Sequence, residues 1–372
     1  MNGWINRIFV LPLLLSAGLA LASCSGQGDD VIDPDANERN ETALLAVNSD
    51  GQGEVAQYYE VSGVVGQSEF ESANGQSLGM EVDAVYEAYE NIYLHSNEAG
   101  EITVLGLGDR KQKATIGGFP VGDTVGLSGM AFSNLSQGWV IAYGADTLYH
   151  IDIRNFALVR RIPLPGTPTA VTTLGNQVYV GLENSDGTGA IGVLASNDPD
   201  FVVDVKVQLP RPPFFAATDE EADYLILLVP GAETDDPDTR EIDTDPLLYA
   251  VDLLDYSFAF DIPFFAPPMR DYVGRHPNFA TLTRDSYLYL ATSEGVKRLD
   301  TKSFGVISDL LPGKSYSVVA ADYWTDLVYA VPTNAPNTVE RKTKRDQTLS
   351  AFTLDRPVRS ITFVSTSKVS AP

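Results

Sequence analysis

The stretch GWVIAYGADTLYHIDIRNFALVRRIPLPGTPTAV, residues 138–171, decides the fold. GWVIAY is a short apolar run, and Gly144-Ala145-Asp146 supplies turn chemistry. TLYHIDI then alternates, with Tyr149, Ile151 and Ile153 at period two. RNF turns again, ALVRRIPL reads as a third strand, and PGTP leads to a fourth, TAV. Short β-rich runs separated by Gly, Pro, Asn and Asp predict a four-stranded antiparallel unit.

The unit recurs along the chain. Asp152 is followed four residues later by Phe156, Asp252 by Tyr256 and Asp300 by Phe304. A strand centred on tyrosine precedes these motifs or their counterparts, at Tyr93, Tyr179, Tyr289 and Tyr329, the last two 40 residues apart. A four-stranded repeat of about 40 residues is the period of a β-propeller blade. A blade cannot bury both faces alone, so blades pack side by side in a ring, and an aromatic at a fixed strand position fills the wedge between neighbours.

The expected fold is therefore all-β: a seven-bladed propeller of four-stranded antiparallel blades over residues 43–366, with a short tail at 367–372. Inner strands are placed near Val82–Tyr86, Gly129–Phe132, Thr169–Thr172, Phe214–Ala217, Asn278–Thr281, Ser317–Ala320 and Arg359–Phe363. The first repeat begins at a second strand, near Leu44, and VRSITFV at the other end is an inner strand with no blade after it. The two ends should complete one blade, three strands from the N-terminal side and one from the C-terminal side. That closure leaves no sheet edge along the seam.

Residues 1–23 read as a secretory leader, with a short n-region holding Arg7, an apolar run from Ile8 to Leu21 and a small-residue end. The run is shorter than the ~20 residues a membrane span needs. It ends in LASC, which resembles a bacterial lipobox; the resemblance implies cleavage before Cys24 and lipid on its sulfur. Cys24 is the sole cysteine, so no internal disulfide forms. Residues 24–42, rich in Gly, Asp and Asn, bury little and read as a disordered acidic tether. The aspartates at 29, 30, 33 and 35 resemble an export signal for the outer face of an outer membrane, and a periplasm-facing anchor is the alternative.

Composition narrows the function classes. A formal net charge of −25 argues against nucleic-acid binding, which needs a basic surface, and against adhesion to anionic lipid. Three histidines, at 95, 150 and 276, and one cysteine form no zinc-like cluster in sequence. His95 and His150 read as core histidines between sheets. Three tryptophans, one in the leader, do not match the repeated tryptophans of quinone-cofactor propellers. No nucleophile elbow or phosphate-cradling glycine loop occurs, and no cofactor is expected. The acidic run 233–245 lacks EF-hand spacing and reads as a solvated loop, with calcium as the alternative. The basic run ERKTKR, 340–345, reads as protective charge on an outer strand, or as a dock for an acidic partner.

Residues 44–105 carry a family resemblance. The loop Ala73-Asn74-Gly75-Gln76-Ser77-Leu78-Gly79 and the hairpin with Tyr93, Asn97, Gly100, Ile102 and Val104 resemble the opening of YncE-like seven-bladed propeller lipoproteins. Two features depart from that pattern: the first turn is Asn48-Ser49-Asp50-Gly51, and Gly106-Leu107-Gly108 stands where an Asp is usual. The resemblance implies a propeller of the cell envelope. Some members capture cobalamin for a TonB-dependent transporter, and others have no assigned ligand.

Binding is expected on one end of the ring. Loops joining second to third strands, and fourth strands to the next blade, project from the same end. The blade that begins at Phe214 enlarges both, at 230–246 and 263–277. Aromatic and Arg side chains on loops over a rigid scaffold suit recognition. The candidate ligand-binding set is Arg211, Phe214, Phe215, Phe264, Phe265, Arg270, Tyr272 and Arg275, with packing of Phe264 and Phe265 beneath their own loop as the plainer alternative. The expected role is a lipid-anchored, monomeric ring at the outer membrane that binds a small ligand or a membrane protein such as a TonB-dependent transporter. The alternatives are a lactonase-like hydrolase or lyase, marked by acids converging with Arg or His over the channel, and a protein-interaction scaffold without a small ligand.

Overall fold

The computed structural model describes residues 41–122, 124–134, 136–229, 247–263, 279–292, 294–303, 305–322 and 327–365. Among them lie seven four-stranded antiparallel sheets, the blades of a β-propeller. The innermost strands are Val358–Ser365, Ala84–Ala88, Gly126–Asn134, Thr167–Leu174, Phe215–Asp219, Ala280–Leu282 and Tyr316–Ala321. They define blades one to seven in that order. The first blade is the expected composite: Val358–Ser365 pairs with Glu41–Ser49, which pairs with Gln52–Tyr59 and then Val64–Gly66.

The sequence repeat and the sheet are offset by one strand. Gln137–Tyr143, Thr147–Asp152 and Ala157–Pro163 lie in one sheet, but TAV belongs to Thr167–Leu174, the inner strand of the next blade. The fourth strand of the sheet is Gly126–Asn134, which precedes the quoted stretch. A chain that finishes each blade at its rim must cross to the channel to start the next, so the consecutive unit straddles two sheets.

The repeated residues have distinct duties. Tyr93, Tyr289 and Tyr329 are fully buried and Tyr179 nearly so, each within a cluster shared by adjacent blades. Burial pushes the Tyr93 phenol up to about 12. The repeated Asp caps the turn from third to fourth strand. Asp152 Oδ1 accepts the amides of Arg154 (2.8 Å) and Asn155 (3.0 Å), and Asp300 Oδ1 accepts those of Lys302 (2.8 Å) and Ser303 (3.2 Å). The aromatic four residues on takes a left-handed backbone, φ 50° at Phe156 and 62° at Tyr256, which turns its ring back into the wedge.

One helix was not legible in the sequence. Glu69–Asn74 plugs the outer wedge between the first two blades, with Phe70 fully buried against Leu44, Val55 and Leu105. Six residues are too few to show a helical period. Ser68 gives no side-chain cap; instead Glu54, from the neighbouring strand, accepts the amides of Phe70 (2.7 Å) and Glu71 (3.2 Å). Gly75, φ 69°, ends the helix in the left-handed region where a side chain would be strained.

The basic run 340–345 lies mostly on a third strand, Thr338–Thr343, and not on the outermost one. Glu340 accepts the Tyr316 hydroxyl (2.6 Å) and pairs with Lys314. Arg341 is buried and pairs with Glu60 of the first blade, and Lys344 reaches Asp285 of the sixth at 3.3 Å. These charges tie the seventh blade to both neighbours.

Candidate functional site

Both faces of a blade are covered by its neighbours, so an inner strand meets solvent only along the central channel and at its mouths. Hydroxyls stitch the inner strands together. Thr173 Oγ1 donates to Phe132 O (2.7 Å), Thr218 Oγ1 to Thr173 O (3.2 Å), and Ser360 Oγ accepts the Val85 amide (3.1 Å). Small polar residues therefore serve the strand edges, which would otherwise present bare backbone groups to the channel.

Four inner strands carry one extra residue near the end where they begin, called the upper end. The register steps from Val358 to Ser360, Leu127 to Gly129, Pro168 to Ala170 and Tyr316 to Val318. The extra residues are Arg359, Ser128, Thr169 and Ser317. A bulge leaves its extra residue out of the ladder and re-aims its side chain. Thr169 spends its hydroxyl on Pro213 O and Ser317 on Val331 O (3.4 Å).

Arg359 stands apart. Among the described residues of the inner strands it alone is exposed, and among them its guanidinium has no ion pair or hydrogen bond. It sits one residue above the tie between Ser360 and Val85. Just ahead of the adjoining strand, two residues before Val85, lies Asp83, whose Oδ2 accepts the Asn97 amide at 2.7 Å. Beside Asp83 is His95, 2% exposed, stacked on Tyr86 at 5.9 Å between ring centres. Burial lowers the His95 imidazole to about 4 against a hydrogen bond from the Asn97 side, so the ring is neutral at pH 7.

Of the candidates named from the sequence, Phe264, Phe265, Arg270, Tyr272 and Arg275 lie outside the described residues, as do Cys24, His276 and the acidic run 233–245. Arg211 is exposed on the connection from the fourth to the fifth blade, at the upper end. Phe214 is a correction. It is 7% exposed, its amide bonds Leu228 O at 2.9 Å, and its ring packs 5.2 Å from Phe279 of the sixth blade. This side chain fills a wedge and does not line a mouth. Phe215 is half-buried and also meets Phe279, at 6.0 Å.

The two described histidines, His95 and His150, lie in different blades. His150 is stacked on Trp139 at 4.7 Å and edged by Phe201 at 5.2 Å, with burial lowering its imidazole. No group of three or more His, Cys, Asp or Glu able to hold a metal occurs among the described residues. Sequence reasoning placed Arg359 on an inner strand but gave it no role. The available signal was comparison across the inner strands: at the equivalent bulge the others carry Ser, Thr and Ser.

No family model matches the chain, and no curated protein matches it. Solved structures do. AztD from Citrobacter koseri shares 10% identity, with 88% of this chain and 98% of that one covered and a TM-score of 0.56. Kuenenia stuttgartiensis hydrazine synthase shares 11% over 77% and 96%, TM-score 0.57. The computationally designed Ika8 protein shares 13% over 87% and 91%, TM-score 0.54. At these identities the likeness shows the propeller fold alone.

Proposed function

We propose that the protein is a binding propeller of the cell envelope, tethered by lipid on Cys24, that takes a small anionic ligand at the upper mouth of its channel through Arg359. The observation that carries this reading is an exposed guanidinium, unpaired among the described residues, on an inner strand of a chain with net charge −25. Acidic side chains outnumber basic ones 50 to 25, and Arg359 is the one exposed side chain on the described inner strands. A guanidinium offers a planar fork that fits carboxylate or phosphate. The YncE-like resemblance and the LASC motif support the envelope setting, and with it delivery to a membrane partner such as a TonB-dependent transporter.

The hydrolase or lyase alternative needs a group poised to move protons near neutral pH. His95, held near 4, is a poor base, and Asp83 already accepts a backbone amide. Binding is the better-supported role for this set.

The test is a thermal-shift comparison of the parent and Arg359→Ala across citrate, succinate and inorganic phosphate. At least one should stabilise the parent, by about 2.7 kcal/mol at a hundredfold excess over Kd, and the variant should lose that response. Equal responses in both proteins, or none in the parent, would overturn the assignment. Cys24→Ala should move the protein from the membrane fraction to the soluble one; retention at the membrane would remove the lipid anchor from the proposal.

A further inference from the structure

The turn after the third strand departs from the repeat in the second blade, and the departure leaves buried donors without acceptors. Gly106 takes the place of the capping Asp, and Arg110 the place of the aromatic. The backbone pattern is the same: the Arg110 amide bonds Gly106 O and the Gly106 amide bonds Lys111 O, both 2.9 Å, as Tyr256 and Ser257 do around Asp252. Arg110 has φ 57°, beside 62° at Tyr256 and 50° at Phe156. Where those rings fill a wedge, this position sends a guanidinium into the lower wedge between the first and second blades.

That guanidinium is 4% exposed. Its Nη2 donates to Gln57 Oε1 at 2.6 Å, while Nε and Nη1 find no partner. Gln57, fully buried, has only the Tyr59 hydroxyl beside its Nε2, and fully buried Thr42 has no partner for its hydroxyl among the described residues. Thr42 lies opposite Tyr59 and Leu44 opposite Gln57, so all four share the blade face that carries Leu44 into the wedge. Burial lowers the Arg110 pKa; Glu69, Tyr59 and Asp109 favour its charge electrostatically, but none makes an ion pair or hydrogen bond with it. Unsatisfied buried groups are rare in native proteins, and each calls for an explanation.

We propose that this wedge binds one small monovalent anion of halide size. The groups left over are two guanidinium nitrogens and a hydroxyl, with the Gln57 amide beside them, while its oxygen is already taken by Arg110. An occupant that only accepts hydrogen bonds and carries negative charge suits these donors and offsets the cost of burying the guanidinium. The site is at the opposite end of the ring from Arg359 and is independent of the ligand assigned there.

The probe is chloride, with gluconate at equal ionic strength as the bulky control, so that general screening is matched. The parent should melt about 3–5 °C higher in saturating chloride, and crystals soaked in bromide should show an anomalous peak beside Arg110. Gln57→Glu is isosteric and supplies a carboxylate next to Arg110, so it should abolish the chloride response while keeping the fold. Arg110→Phe restores the aromatic that the third and fifth blades carry at this turn and should abolish it too. An absent bromide peak with equal melting in the two salts would mean that water alone fills the wedge. A chloride response that persists in Gln57→Glu would place the anion elsewhere. Either result overturns the proposal.

Discussion

The seam between the seventh and first blades should be sensitive to Arg341 in a way that depends on pH. Arg341 Nη1 donates to the Tyr58 hydroxyl (2.8 Å) and Ser350 O (3.0 Å), and Nη2 donates to Glu60. The guanidinium lies 4.6 Å over the Tyr58 ring and 5.4 Å from that of Tyr329. The side chains of the ion pair are 6% and 14% exposed. Replacing Arg341 by Met keeps most of the stem's packing but strands a buried carboxylate. Breaking a buried pair from one side costs about 3–5 kcal/mol, or roughly 6–10 °C in Tm for a chain of this size. Converting both partners, in Arg341→Met with Glu60→Met, should recover most of that loss, because a paired buried charge and an apolar contact differ little in net stability. The pH dependence follows from Glu60. Burial raises its carboxyl above the ordinary value even with Arg341 opposing. The folded protein therefore holds this proton more tightly than the unfolded chain, so its contribution is fully present below the ordinary carboxylate pKa and lost as pH rises through the raised value. Without Arg341 that loss extends to higher pH, so Arg341→Met should be nearer the parent at pH 5 than at pH 8. Scanning calorimetry or fluorescence melts of the parent, both single variants and the double variant at the two pH values decide it. If Arg341→Met melts with the parent at pH 8, or the double variant melts below both singles, the pair does not hold the seam.

Two further outcomes rest on the same structure. Ending the chain at Arg356 removes the inner strand Val358–Ser365 with buried Val358, Ile361 and Val364, and leaves Glu41–Ser49 as a bare edge; because unpaired buried groups cost ~1–3 kcal/mol each against a domain stability of ~5–15 kcal/mol, circular dichroism should show no cooperative melt, and a parent-like transition would refute the closure. His95, lowered to about 4 from 6.5 by burial, stays neutral when folded, so stability is fully present above pH 6.5 and declines as pH falls toward 4; His95→Gln should flatten that acid limb of a Tm-against-pH curve, and an unchanged slope would show that His95 is not its source.

The architecture was legible because a ring of blades repeats its demands. Each wedge needs a large side chain at one strand position, which makes Tyr93, Tyr179, Tyr289 and Tyr329 visible as a series. Each tight turn needs an acceptor for its free amides, which makes Asp152, Asp252 and Asp300 visible as another. Closure was legible from the leftover strands at the two ends. Contacts between blades were not. The sequence shows ERKTKR as a charged run, but only the ring reveals that Arg341 faces Glu60 and Lys344 faces Asp285. Phe214 is legible as the start of an inner strand, but its packing on Phe279 of the next blade is not.

Function was least legible where one residue breaks the series. Gly106-Leu107-Gly108 is visible as a missing Asp, yet its consequence lies two residues on, where Arg110 enters a slot shaped for a ring. Arg359 is hidden in the same way, as the charged member of a set of bulges whose other extra residues are Ser and Thr. A repeat protein fixes its scaffold by averaging over blades, so a residue that the scaffold does not require is free to serve a ligand. Arg359 and Arg110 are two such residues, both arginines in a strongly acidic chain. One is open at the upper mouth and the other is closed in the lower wedge. On the proposed readings, an anion at the exposed guanidinium exchanges with solvent, whereas one at the buried guanidinium enters only as the wedge opens. That difference in access predicts fast exchange at Arg359 and slow exchange at Arg110, and it separates a recognition site from a structural one.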